Sequence, residues 1–151
     1  MLALFTLASA LAVAAVFSKR SAGSIVAPTA ASSINSGSVI PFNYVDLNWC
    51  HEGYTPITVY LSETQPTSLN ATGGVTEYMA SYGPYLIPNY GLAPLSGSQV
   101  PPQNLTMPDI SAYTSGSALY LSVVETALAG TCPPGNQPAQ YQFSTTSLTV
   151  A

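Results

Sequence analysis

The chain holds one histidine, His51, placed between Cys50 and Glu52 with Asp46 close upstream. An imidazole near a carboxylate is the start of a general-base system, and a hydrolytic triad would add an activated hydroxyl. Serines are abundant, but none stands in a Gly-x-Ser-x-Gly elbow that would single out a nucleophile. His51 therefore reads as a loop histidine beside a bridge, no catalytic residue is assigned, and the chain reads as a non-enzyme, with a small secreted hydrolase using His51 as base kept as the third alternative. Asp46, His51 and Glu52 make at most a weak surface metal site, because one histidine falls short of the usual ligand sets and the cysteines are expected to be oxidised. Neither metal nor cofactor is expected. Glycoside hydrolysis needs two carboxyl groups at a set separation. Among Asp46, Glu52, Glu63, Glu77, Asp109 and Glu125, the pair Asp46 and Glu125 comes nearest, yet all six read as solvated acids at strand ends.

Aromatic rings offer a non-catalytic chemistry, since their flat faces stack on sugars. Tyr78, Tyr82, Tyr85, Tyr90 and Tyr113 fall close together in the sequence and are candidate contacts to a neutral glycan. Tyrosine is also the common residue of half-buried surfaces, and Trp49, next to Cys50, is expected to pack against a bridge.

Charge narrows the partners. The only basic side chains are Lys19 and Arg20, directly after an apolar run that begins at Met1. Residues 1–17 read as a signal peptide, with small residues at Ala8, Ala10, Ala12 and Ala14 offering cleavage sites. Residues 18–20 read as a short pro-segment whose dibasic end is similar to the sites cut by kexin-type proteases, which makes Ser21 the expected mature N-terminus. The mature chain, residues 21–151, then has no Lys or Arg. Nucleic-acid binding needs cations to displace condensed counterions, so it is excluded, and anionic membranes and phosphorylated ligands are disfavoured for the same reason. The C-terminus has no polar spacer and apolar tail of the kind a GPI signal requires, so release, or non-covalent retention in a cell wall, is expected.

The elements that must position these residues are strands. Ser24–Pro28, the region 34–45 broken at Gly37, Pro56–Ser62, Ala118–Glu125 and Tyr141–Val150 are rich in β-branched and aromatic residues and alternate with period two. Residues 64–114 carry many of the prolines and half of the tyrosines and read as a long irregular insert, with Val75–Met79 and Tyr85–Ile87 as possible short strands. Two N-glycosylation sequons, at Asn70 and Asn104, fall in this insert. Cys50 and Cys132 are the only cysteines, and in an oxidising compartment they are expected to pair, with free thiols or an intermolecular bridge as the alternatives. Closing so long a loop is worth about 4–5 kcal/mol on the chain-entropy account. The expected fold is all-β: one antiparallel β-sandwich of immunoglobulin or fibronectin type.

The segments Ile25-Val26-Ala27-Pro28, Ser36 to Tyr44, Thr58-Val59-Tyr60-Leu61 and Leu119 to Glu125, with Pro102 to Asp109, resemble small secreted proteins of basidiomycete fungi, most without an assigned activity. More distantly, the strand order is similar to the immunoglobulin-like N-terminal domain of yeast cell-wall glucan-synthesis and serine/threonine-rich GPI-anchored families. The resemblance implies a secreted, extracellular or wall-associated protein and carries no catalytic residues. The residues themselves leave two partner classes, a neutral wall polysaccharide or, for a secreted effector or signalling ligand, an extracellular protein, with an exposed apolar loop patch as the sign of the second.

Overall fold

The computed structural model describes residues 22–132 and 135–151. The expected signal peptide, the pro-segment with Lys19 and Arg20, and Ser21 lie outside the described residues. The strands are β1 (Ser24–Ala27), β2 (Ser32–Ile34), β3 (Val39–Pro41), β4 (Asn43–Val45), β5 (Tyr54–Ser62), β6 (Ala80–Pro88), β7 (Asn104–Thr106), β8 (Ala118–Ala127) and β9 (Gln140–Val150). The only helical element among the described residues is a 3₁₀ turn at Gly97–Gln99. The fold is all-β.

Alternation explains where each strand lies. Across β3 and β4, Ile40, Phe42 and Tyr44 are buried while Val39, Pro41, Asn43 and Val45 are exposed. Likewise Ile57, Val59 and Leu61 of β5 and Leu119, Leu121 and Val123 of β8 are each no more than 1% exposed. These rows meet in one core with Ile34, Leu105, Met107, Ile110, Leu148 and Val150. Burying each large aliphatic side chain contributes roughly 1.5–3 kcal/mol before chain entropy is set against it.

The main sheet has the order β2-β9-β8-β5-β6, and two short antiparallel sheets, β1-β4 and β3-β7, complete the strand pairing. Chain 39–45 changes partner at Phe42, whose amide donates to the Gln103 carbonyl at 2.8 Å. Two expectations need correction. The pairing is mixed rather than purely antiparallel, because after β1 the chain turns at Thr29–Ser32 and runs parallel to β9, with Ser32, Ser33 and Ile34 opposite Leu148, Thr149 and Val150. Residues 64–114 are also less irregular than their prolines suggested: β6 pairs with β5 from Tyr54↔Pro88 to Leu61↔Ala80. Proline is tolerated there because β6 is an edge strand. Gly83 takes φ 99°, which glycine adopts freely, as the register shifts between Ile57 and Val59. Val75–Met79 forms no strand, and Val75 is instead buried.

Candidate binding surface

Loops β4–β5, β6–β7 and β8–β9 are tied together at one end of the molecule. The Cys50–Cys132 disulfide joins the first to the third. Beside it, Glu52 Oε1 accepts from the Leu128 amide at 2.9 Å and the Thr131 hydroxyl at 2.8 Å. Asn89, just past β6, donates from Nδ2 to the Glu52 carbonyl at 3.1 Å and to Thr55 Oγ1 at 2.9 Å, and Thr55 in turn donates to Asp46 Oδ2. Asn48 Oδ1 accepts from the Glu52 amide at 2.7 Å, and its Nδ2 donates to the Glu52 carbonyl at 2.9 Å. Trp49 packs on Cys50, Ala127 and Cys132, as expected from its place in the sequence, with its indole N–H buried and without a partner among the described residues.

Backbone strain gathers at the same end. Non-glycine residues with positive φ among the described residues are Ala31, Asn48, His51 and Tyr90, and the last three are neighbours here. The Tyr90 hydroxyl lies 3.0 Å from His51 Nδ1 and 3.3 Å from Asn48 Nδ2. Left-handed backbone at non-glycine residues is uncommon, and where the surroundings enforce it, it concentrates at functional loops. Around this polar framework Leu47, Tyr90, Leu92 and Leu128 are 48%, 68%, 43% and 52% exposed.

The histidine-centred group does not converge. Asp46 turns to Thr55, His51 to Tyr90, and Glu52 to Leu128 and Thr131. Among the described residues no three His, Cys, Asp or Glu side chains gather as metal ligands would. The five tyrosines separate as well. Tyr82, Tyr85 and Tyr113 pack against the core, and burial raises the pKa values of Tyr82 and Tyr85. The Tyr82 hydroxyl donates to the Thr106 carbonyl at 2.9 Å, and that of Tyr113 donates to Glu63. Tyr90 belongs to the disulfide end. Tyr78 stands edge-on to Tyr60, ring centroids 5.1 Å apart, beside a groove of about 380 Å³ lined by Glu63, Thr64, Thr76, Glu77 and Met79. Asn70 is exposed, its Oδ1 accepting from the Thr72 hydroxyl of its own sequon at 2.8 Å. Asn104 and Thr106 are exposed on β7 around buried Leu105.

No protein-family model, curated protein or solved structure matches the chain. The surface is judged on its own chemistry.

One acid departs from expectation. Glu125 is 0% exposed, not a solvated strand-end acid. Its Oε1 accepts from the Tyr44 hydroxyl at 2.8 Å, the Leu47 amide at 2.9 Å and the Gly23 amide at 3.2 Å, while Oε2 is buried with no partner among the described residues. Desolvation by burial raises the carboxyl's pKa, and Asp46 adds repulsion against these hydrogen bonds. The signal was present in the sequence: Glu125 continues the inward phase of Leu119, Leu121 and Val123 along β8. Asp46 and Glu125, the pair singled out for glycoside chemistry, do interact electrostatically, but Glu125 is closed to solvent.

Proposed function

We propose that this chain is a secreted, non-catalytic recognition domain that binds an extracellular protein through its disulfide-clamped loop end. The observation that carries the reading is the display of Leu47, Tyr90, Leu92 and Leu128 on loops fixed by a bridge, a polar network and strained backbone. Exposed apolar side chains on a preorganised framework are the usual mark of a contact surface, because little ordering entropy remains to be lost on binding. The sheet order, with β2 parallel to β9 and the inward faces of β3, β4 and β7 in the same core, supports an immunoglobulin-type sandwich. In variable domains of that type, loops at one end form the binding site. The partner face is apolar with neutral or basic surroundings, since the mature chain offers carboxylates and no Lys or Arg. Secretion to the extracellular space or a cell wall rests on the apolar N-terminal run and accords with the bridge.

A second reading has its own observation. The Tyr78 ring, 52% exposed, stands with Glu63, Glu77 and two threonines along the groove. A ring face with carboxylate acceptors suits a neutral polysaccharide.

One experiment separates them. The purified chain is tested against extracellular proteins of the producing organism and against insoluble chitin and β-glucan. Saturable protein binding lost at least about tenfold in Leu92→Asp/Leu128→Asp, with unfolding unchanged, is the expected result. Polysaccharide retention lost in Tyr78→Ala and untouched by the leucine changes moves the function to the groove. Binding to neither defeats both readings.

A further inference from the structure

We infer that amino-terminal processing ends at Gly23 and that the new α-ammonium group is the counter-ion of the buried Glu125 carboxylate. The site for an amine is already built. The Gly23 nitrogen lies 3.2 Å from Glu125 Oε1, and Ser144 Oγ donates to the Gly23 carbonyl, so the residue is held from both sides. A side chain at position 23 would collide with Glu125 Oε1, the Val45 carbonyl and the Tyr44 hydroxyl, so only glycine fits.

Among the described residues two buried acceptors, on facing positions of β8 and β9, lack donors. One is Glu125 Oε2, and the other is the amide oxygen of Gln142, which stands directly opposite Glu125 in the β8–β9 pair. Buried oxygens without partners are rare in folded proteins and ask for an explanation. A backbone amide at Gly23 brings one hydrogen, already used on Oε1. An ammonium brings three and a positive charge, which offsets desolvation of the carboxylate. Among the described residues there is no Lys or Arg to supply that charge, and His51 sits at the loop end on Tyr90. The other titratable groups at Glu125 are Tyr44, which donates to it, and Asp46, which repels it.

Two hydrolyses produce the amine. A dibasic-specific endoprotease adds water across the Arg20–Ser21 bond, leaving a carboxylate on Arg20 and an amine on Ser21. An aminopeptidase that removes dipeptides ending in alanine then adds water across Ala22–Gly23, releasing Ser21-Ala22 and freeing the Gly23 amine. That amine takes up a proton at neutral pH, as α-amino groups with pKa values of about 7.7–8.0 do.

The test compares chains beginning at Gly23 with a free amine, at Gly23 with an acetylated amine, and at Ser21, each with Glu125 and with Glu125→Gln. At pH 7 the free Gly23 form is expected to melt at least about 3 °C above the other two, and Glu125→Gln to erase the difference. The pH response should reverse sign: the free form loses stability as pH falls through the carboxylate range, whereas the acetylated and Ser21 forms gain it. As a readout independent of folding differences, acylation of the native Gly23 amine should be at least about tenfold slower than that of the Ser21 amine. Equal melting points with pH slopes of one sign, or an acetylation effect that survives Glu125→Gln, overturns the pairing. Intact mass of the naturally secreted protein should place Gly23 first, and a chain beginning at Ser21 or earlier overturns the processing.

Discussion

At its start β8 sends Leu119, Leu121 and Val123 inward, opposite Leu148 of β9 and Leu61 and Val59 of β5, and these rows make the apolar core. At its end the same inward phase delivers Glu125 to a fully buried position, while Leu47, Tyr90, Leu92 and Leu128 face solvent nearby in the loops. Exposed aliphatics are ordinary one at a time, and a buried acid is ordinary when paired. A buried acid beside exposed side chains on bridged loops sets this end apart from the apolar core. The first half is held by apolar contact, and the second by a covalent bridge and hydrogen bonds.

If that division is right, the largest effect comes from the bridge. Replacing Cys50 and Cys132 together by serine should lower the unfolding free energy by about 4 kcal/mol in urea titrations, near the loop-entropy value, and should release Trp49 from its packing as read by its fluorescence. Leu121→Ala, in the apolar half, should cost about 3 kcal/mol through lost contact and the cavity left behind, with no effect on partner binding. An equal loss of binding in Leu121→Ala and the cysteine variant would dissolve the distinction between the halves.

Smaller changes sharpen it. Tyr44→Phe removes a donor to a buried carboxyl and should cost about 1–2 kcal/mol, measured by denaturant unfolding. In a chain extended beyond Gly23, the folded Glu125 carboxyl titrates above its ordinary value, so the folded state binds its proton more tightly than the unfolded state. The stability this contributes is fully present below the unfolded carboxylate value of about 4.3 and is lost as pH rises through the folded value. Glu125→Gln should flatten that slope in thermal scans across the acidic range. The smallest effect on stability belongs to Leu92→Asp and Leu128→Asp, each within about 0.5 kcal/mol, because both side chains already face water.

Much of the frame was legible in the sequence, because period-two alternation fixes which face of a strand is buried. Pro56–Ser62 and Ala118–Glu125 were read correctly as strands on that basis, as was the Cys50–Cys132 pair from its chemistry. Proline in 64–114 misled, since its effect depends on whether a strand is central or at an edge, which only pairing decides. The burial of Glu125 was readable from its phase but was masked by its charge. The loop end was not readable: Leu47, the Tyr90–Leu92 segment and Leu128 lie far apart in sequence, and the bridge and the Asn48, Glu52 and Asn89 hydrogen bonds bring their loops together.

The most direct test of the central claim is site-directed photo-crosslinking on the extracellular proteins of the producing organism, with the photoreactive residue at Leu128 in one sample and at Val39 in another. Val39 is 64% exposed and lies on β3, away from the clamped loops. A loop-end recognition domain gives a discrete crosslinked partner from position 128 that excess unlabelled chain suppresses, and none from position 39. Crosslinking from position 39 alone, or equally from both, would contradict it.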